Sequence, residues 1–312
     1  MSDATYLQIL TLRLADGIAR LPEATRDRAS AYFRNSQRED GGFAGREGGS
    51  DPYYTGFGLR SLALSGTLDD AAAQAAADFL GRRLRGHESI VDFYSLLYSA
   101  QILKLFADVD VYANVEGDWQ RAVFDLLCSL RRDDGGFAKG QEGHASSTYH
   151  TFLVMLCFEL IDQALPQPEE ARRFLCSQFV EDGGFREIRA SKRAGTNPTA
   201  AAIAGLRMLG GLDDELAEPT VDFLLEMQTD EGGFRANTRI PIADLLSSFT
   251  ALVTLADLGA LHEVDLPAVE RFVMSLWQEN GGFIGASWDE VTDVEYSFYG
   301  LGCLGMLRTA QA

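Results

Sequence analysis

The tripeptide Gly-Gly-Phe recurs five times in this chain, at Gly41-Gly42-Phe43, Gly135-Gly136-Phe137, Gly183-Gly184-Phe185, Gly232-Gly233-Phe234 and Gly281-Gly282-Phe283. Each copy follows an acidic or polar pair and precedes an apolar run. From Gly135 the steps are 48, 49 and 49 residues, and Gly41 to Gly135 is 94, two steps of about 47. A period of this size marks a repeat architecture and constrains the fold before any single motif is read. The second copy lacks the phrase. It is expected near Gly86-His87-Glu88, where a helical run at 91–106 follows.

Every repeat carries two helical patterns. Amphipathic, charged runs are predicted at 23–37, 69–84, 117–131, 169–180, 214–228 and 266–278. Runs apolar nearly all round are predicted at 53–64, 91–106, 147–160, 198–209, 244–255 and 293–307. A helix apolar on every side is buried, and a polar-faced one lies at the surface. Strand alternation is absent. Glycine tolerates the positive φ of a tight turn, and the Phe that follows can plug the space between helices. The expected fold is therefore all-α, an (α/α)6 toroid of six inner and six outer helices. It forms one domain over 1–312, with an N-terminal helix (1–22, from the Leu7, Leu10, Leu14 spacing) as cap or lid and six helix hairpins over 23–312.

A chain of 312 residues with 46% hydrophobic content can bury a large core. Its net charge of −19 disfavours nucleic acid and anionic membranes as partners, since both attract basic faces. No apolar run reaches the roughly 20 residues needed to span a bilayer. The first 20 residues carry charges throughout and show no signal pattern. Cys128, Cys157, Cys176 and Cys303 are widely spaced in apolar patterns and read as reduced core residues. The expected location is cytoplasmic.

The phrase DGGF-(x)-G, followed by D-x-x-[YH]-[ST]-F, resembles the repeat of the protein prenyltransferase β-subunit and squalene-cyclase superfamily over about residues 24–308. The Asp-x-Asp-Asp run of the cyclases is absent, Asp108-Val109-Asp110-Val111 being the nearest match, and Phe rather than Trp follows the glycines. The prenyltransferase branch is the closer relative. That resemblance implies an isoprenoid ligand, a helical α-subunit-like partner, and zinc held by Asp-x-Cys and by the His of Asp-x-x-His. Here the aspartates match at Asp244 and Asp293, but Leu246 stands at the Cys position and Tyr296 at the His position. Leucine cannot ligate zinc and tyrosine rarely does. The family's phosphate-binding Arg and Lys fall on Thr238 and Pro241.

Asp51, Asp244, Asp293 and Glu295 are expected to gather as the repeats close. Such carboxylates repel and raise one another's pKa unless a cation or hydrogen bonds intervene. One reading is a Mg²⁺ site at Asp244, Asp293 and Glu295, or a proton donor among Asp293, Glu295 and Tyr296. The other is that the aspartates cap helices, which leaves Glu295, inside its helix, unexplained. Elsewhere Arg189, Lys192, Arg193 and His150 are candidates to cradle a diphosphate, against an exposed solvated loop. Tyr54, Tyr94, Tyr149 and Tyr299 are candidates to line an aromatic cavity for a prenyl chain, against ordinary core packing. Three functions follow: a divergent prenyltransferase β-subunit-like protein that binds and transfers an isoprenoid, a non-catalytic scaffold for a protein partner or a second copy, and a terpene-cyclase-like enzyme.

Overall fold

Thirteen α-helices account for nearly all regular structure in the computed structural model, which describes residues 4–83, 89–113, 115 and 117–310. After α1 (Tyr6–Ala19), a surface series and a buried series alternate. The surface series is α2 (Glu23–Ser36), α4 (Asp70–Arg83), α6 (Trp119–Ser129), α8 (Pro168–Cys176), α10 (Asp214–Glu226) and α12 (Leu266–Ser275). The buried series is α3 (Pro52–Leu64), α5 (Ile90–Ala107), α7 (Thr148–Leu160), α9 (Thr196–Met208), α11 (Leu245–Asp257) and α13 (Val294–Thr309). Among the described residues there is no β-strand, only isolated bridges. The tripeptide expected near Gly86 lies outside the described residues.

What seats five of the six buried helices, all but α5, is a hydrogen bond. The amide of the motif Phe is inaccessible, and a Ser or Thr in the first turn of the buried helix receives it. The pairs are Phe43 N to Thr55 Oγ1 at 3.0 Å, and Phe137 to Thr151, Phe185 to Thr199, Phe234 to Ser248 and Phe283 to Ser297, each at 2.9 Å. The hydroxyl in turn donates to the capping residue's carbonyl, as Thr55 does to Asp51 O at 2.6 Å and Ser248 to Asp244 O at 2.7 Å. An unpaired buried amide costs about 1–3 kcal/mol, so the hydroxyl is required where the Phe is buried. The Phe ring then lies on the helix itself. A Cβ on Gly300 would stand 2.5 Å from Phe283.

The first glycine of the phrase has φ between +87° and +99° in all five copies. It also touches the next surface helix: a Cβ at Gly135 would lie 2.5 Å from Glu170 O, and one at Gly281 would lie 2.4 Å from Arg28 O. The last turn thus docks on α2. Arg28 reinforces it by donating to Gln278 O at 2.6 Å and lying 4.5 Å over the Trp277 ring.

The chain packs as two compact units. In the first, Met1–Leu7 with Gln120–Phe272, α9 lies between α7 and α11 over a core of Met155, Phe174, Phe185 and Ile203. In the second, Gln8–Trp119 with Val273–Ala312, α3 packs against α5 and α13. Helix α5 is the one described helix with the length and hydropathy to cross a membrane; half of it is buried against its neighbours, and Asp92 and Lys104 lie on it.

Several surface helices end two to four residues sooner than their apolar pattern predicts. The chain leaves the helix early to pair with the motif Phe, through bridges Arg131 to Phe137, Phe179 to Phe185, and Trp277 to Phe283. All four cysteines are free thiols.

Gly135→Ala is expected to lower unfolding free energy by about 2–5 kcal/mol, a left-handed strain of about 1–2 plus a backbone clash of about 1–3. Gly66, at φ +68° with open space around it, should show only the strain. Denaturant titration of the two variants measures the difference.

Candidate functional site

The three candidate aspartates all cap helices. Asp51 Oδ1 accepts from Tyr54 N at 2.8 Å, Asp244 Oδ1 from Ser247 N at 2.7 Å, and Asp293 Oδ1 from Tyr296 N at 2.8 Å. Burial pushes the Asp51 and Asp244 carboxyls above the usual range, against the pull of these amides; the charge of Asp92 adds to the rise at Asp51. The second oxygen of Asp244 takes Ser247 Oγ at 2.8 Å. That of Asp293 takes Arg46 Nε at 2.8 Å, and the Arg46 Nη atoms grip Asp289 in a fork. The Asp289 and Asp293 side chains are 7% and 5% exposed, while Arg46, at 31%, keeps one side of the ion-pair cluster in water. Burial would raise Asp289, but Arg46 and the amides of Gly285 and Val291 hold it below the usual range.

Glu295 stands apart from this cluster although it is two residues from Asp293. Its Oε1 accepts from Tyr53 Oη at 2.5 Å, with Tyr299 Oη at 3.4 Å. Burial, and then the charge of Asp293, push its carboxyl up against the pull of the two tyrosines and of Arg60. Around it the first turns of α3 and α13 form an aromatic wall. Tyr53 meets Phe57 at 5.0 Å between ring centroids, and Phe57 meets Phe298 and Tyr299, each at 5.4 Å. On α5, Tyr94 and Tyr98 pair at 5.8 Å. Tyr53 and Tyr94 are half-buried, while Tyr98 and Tyr299 are buried. Arg60 lies over this wall, 4.3 Å from the Phe57 ring, 4.7 Å from Phe298 and 5.5 Å from Tyr98.

Two candidate tyrosines serve the turns. Tyr54 lies against Gly45 and Tyr296 against Gly285, where a Cβ would come within 2.4 Å and 2.8 Å of the respective rings. Arg46 covers the outer face of Tyr296 at 5.3 Å. These are the two copies whose phrase continues Phe-x-Gly, so the small residue and the ring that fills its place are paired in sequence. Burial, then Glu295, raises the Tyr54 hydroxyl above its ordinary value.

The remaining candidates lie in the first unit. His150 Nδ1 bonds Ser147 Oγ at 2.8 Å, and burial with the nearby Lys139 charge lowers its pKa, which favours neutral imidazole. Tyr149 is 38% exposed. Its amide points to Glu187 Oε1 at 3.4 Å, and burial raises that carboxyl. The basic loop does not converge. Arg193 donates to Thr238 Oγ1 at 3.1 Å, Arg189 is exposed, and Lys192 lines a shallow depression with Phe179, Val180, Glu181 and Asp182. Two carboxylates in that depression oppose an incoming anion.

Asp244 lies in the first unit, and Asp293 and Glu295 in the second. Among the described residues no three His, Cys, Asp or Glu side chains are grouped to hold a metal ion. The family's zinc positions fit zinc poorly here. Leu246 has no donor atom, Asp244 spends both oxygens on Ser247, and Tyr296 is packed between Gly285 and Arg46.

With this geometry in hand, the comparisons are informative. The prenyltransferase alpha-alpha toroid domain model matches residues 4–90, 85–196 and 196–312. The chain belongs to the prenyltransferase α/α-toroid family. Its fold is similar to Candida albicans protein geranylgeranyltransferase-I complexed with GGPP, at 17% identity and TM-score 0.71 over 90% of each chain. It is also similar to a protein from Actinoplanes, at 14% identity and TM-score 0.64 over 93% of this chain and 99% of that one. A variant of type II terpene cyclase MstE from Scytonema, in complex with geranylgeranyl dihydroxybenzoate, matches at 14% identity and TM-score 0.63 over 96% and 99%. No curated protein sequence matches the chain.

Two residues of this site escape a motif-based reading. Arg46 follows Gly45 on the loop after the first phrase, with nothing in its spacing to announce an ion pair to residues 243 and 247 positions away. Arg60 did leave a signal: it is the one charged residue in α3, PYYTGFGLRSLAL.

Arg46→Met is expected to cost about 2 kcal/mol, because it strands two buried carboxylates. Glu295 gives a pH prediction. Its proton is held more tightly in the folded protein than in the unfolded chain, so stability falls as pH rises from the ordinary value of 4.5 through the raised folded value. Glu295→Gln should remove that component. Across that window its thermal midpoint should gain steadily on the parent's, in melts taken pH by pH.

Proposed function

We propose that this protein binds an isoprenoid chain against the aromatic wall of α3, α5 and α13 and transfers its allylic group to an acceptor without a zinc-activated thiolate. The observation that carries this reading is Glu295, a half-buried carboxyl held by Tyr53 and Tyr299 within that wall. Ring faces accept an extended apolar chain and stabilise a developing allylic cation. In the step, the bond between the allylic carbon and the diphosphate oxygen breaks, and its electron pair leaves with diphosphate. A lone pair of the acceptor forms the new bond to that carbon, and the acceptor's proton passes to Glu295. A carboxylate whose pKa is raised by burial is a better base than a surface one.

That same shift weighs against the cyclase-type reading. Protonating an alkene needs a strong acid, and burial has made Glu295 a weaker one. Support for the isoprenoid ligand also comes from the similar structures, whose complexes contain GGPP and a geranylgeranyl-bearing substrate.

Calorimetric titration with farnesyl and geranylgeranyl diphosphate tests the reading. Micromolar binding, weakened roughly tenfold or more by Tyr94→Ala, is expected, an aromatic contact being worth about 1–3 kcal/mol on truncation. Glu295→Gln should keep that binding and lose turnover. Absence of heat with every isoprenoid would overturn the proposal.

A further inference from the structure

Arg60 is a half-buried guanidinium that lies on aromatic rings with donors to spare. Arg60 uses one of its five N–H groups, from Nε to Gly56 O at 2.9 Å. Among the described residues its two Nη atoms make no hydrogen bond or ion pair. Its Cζ lies 4.3 to 5.5 Å from the centroids of the Phe57, Phe298 and Tyr98 rings, so the group rests against all three. The bond to Gly56, four residues back, turns the group toward the N-terminal end of α3, the end at which Tyr53 meets Glu295. Its charge is felt there, since it opposes the upward shift of the Glu295 carboxyl. The Nη donors are therefore left unpaired on the aromatic wall, within electrostatic reach of that carboxyl. Such a fork matches a planar or tetrahedral oxyanion.

We propose that Arg60 holds the oxyanion headgroup, carboxylate or phosphate, of an amphiphilic ligand whose apolar chain lies along Tyr53, Tyr94 and Tyr299. The inference rests on the isoprenoid reading above and adds the group that sets the ligand's polarity and orientation. It also replaces the dispersed basic loop as the anion site.

The test compares three ligands of one chain length on the full-length protein: geranylgeranyl diphosphate, geranylgeranoic acid and geranylgeraniol. The parent should prefer at least one anion to the alcohol. Arg60→Met keeps the stem on the rings and should lose that preference, a weakening of roughly 10- to 100-fold for the anion and under twofold for the alcohol. Arg60→Lys keeps the charge without the fork and should fall between. The paired Arg189→Ala, Lys192→Ala variant should retain the parent's preference, and thermal melts confirm that each variant is folded. A preference for the diphosphate alone or for both anions identifies the headgroup. Equal binding of alcohol and anions by the parent, or a preference that survives Arg60→Met or vanishes in the loop variant, overturns the assignment and leaves the isoprenoid reading standing. Failure of all three ligands to bind removes both.

Discussion

Everything in this molecule hangs on a buried amide. Placing the motif Phe in the core removes its N–H from water, and one hydroxyl in the first turn of the following helix receives it in all five described copies. The bond sets the height of each buried helix relative to the turn before it, while the left-handed glycine sets the distance to the next surface helix. These two constraints recur at a near-constant period, so each motif turn meets its own buried helix in the same way. A repeat of this kind fixes backbone geometry and leaves first-turn side chains free to vary.

That freedom is where the chain departs from its family. Where the resemblance implies a zinc-binding histidine stands Tyr296, whose ring occupies the space above Gly285 and lies beneath Arg46. Asp293 is retained, but as a cap and ion-pair partner. The polar side chains on the wall are Glu295 and Arg60. Glu295 bonds phenol hydroxyls, and Arg60 lies against rings and bonds Gly56 O.

How much of this was readable from the sequence depends on the range of the interaction. The repeat, the two helix series and the capping aspartates are local patterns, and they were legible; only the surface-helix ends were misjudged, where bridges to the motif Phe compete with the last helical turn. The Ser or Thr of the repeat phrase was visible as a letter but not as the acceptor of an amide 12 to 14 residues earlier. Arg46 was illegible because its partners come from the other end of the chain. The basic loop shows the opposite failure. Arg189, Lys192 and Arg193, with His150, suggest a cradle, yet the side chains part: Arg189 is exposed, Arg193 turns to Thr238 and His150 to Ser147. Adjacency in sequence did not become convergence in space.

The central claim is that the wall of α3, α5 and α13 takes the isoprenoid. A photoactivatable geranylgeranyl diphosphate analogue, with its reactive group on the terminal isoprene, tests it directly when the cross-linked peptides are mapped by mass spectrometry. The account predicts label on the peptides containing Tyr53 to Arg60, Tyr94 to Tyr98 and Glu295 to Tyr299, displaced by unlabelled ligand. Label confined to the loop from Arg186 to Arg193 or to the surface helices would contradict it.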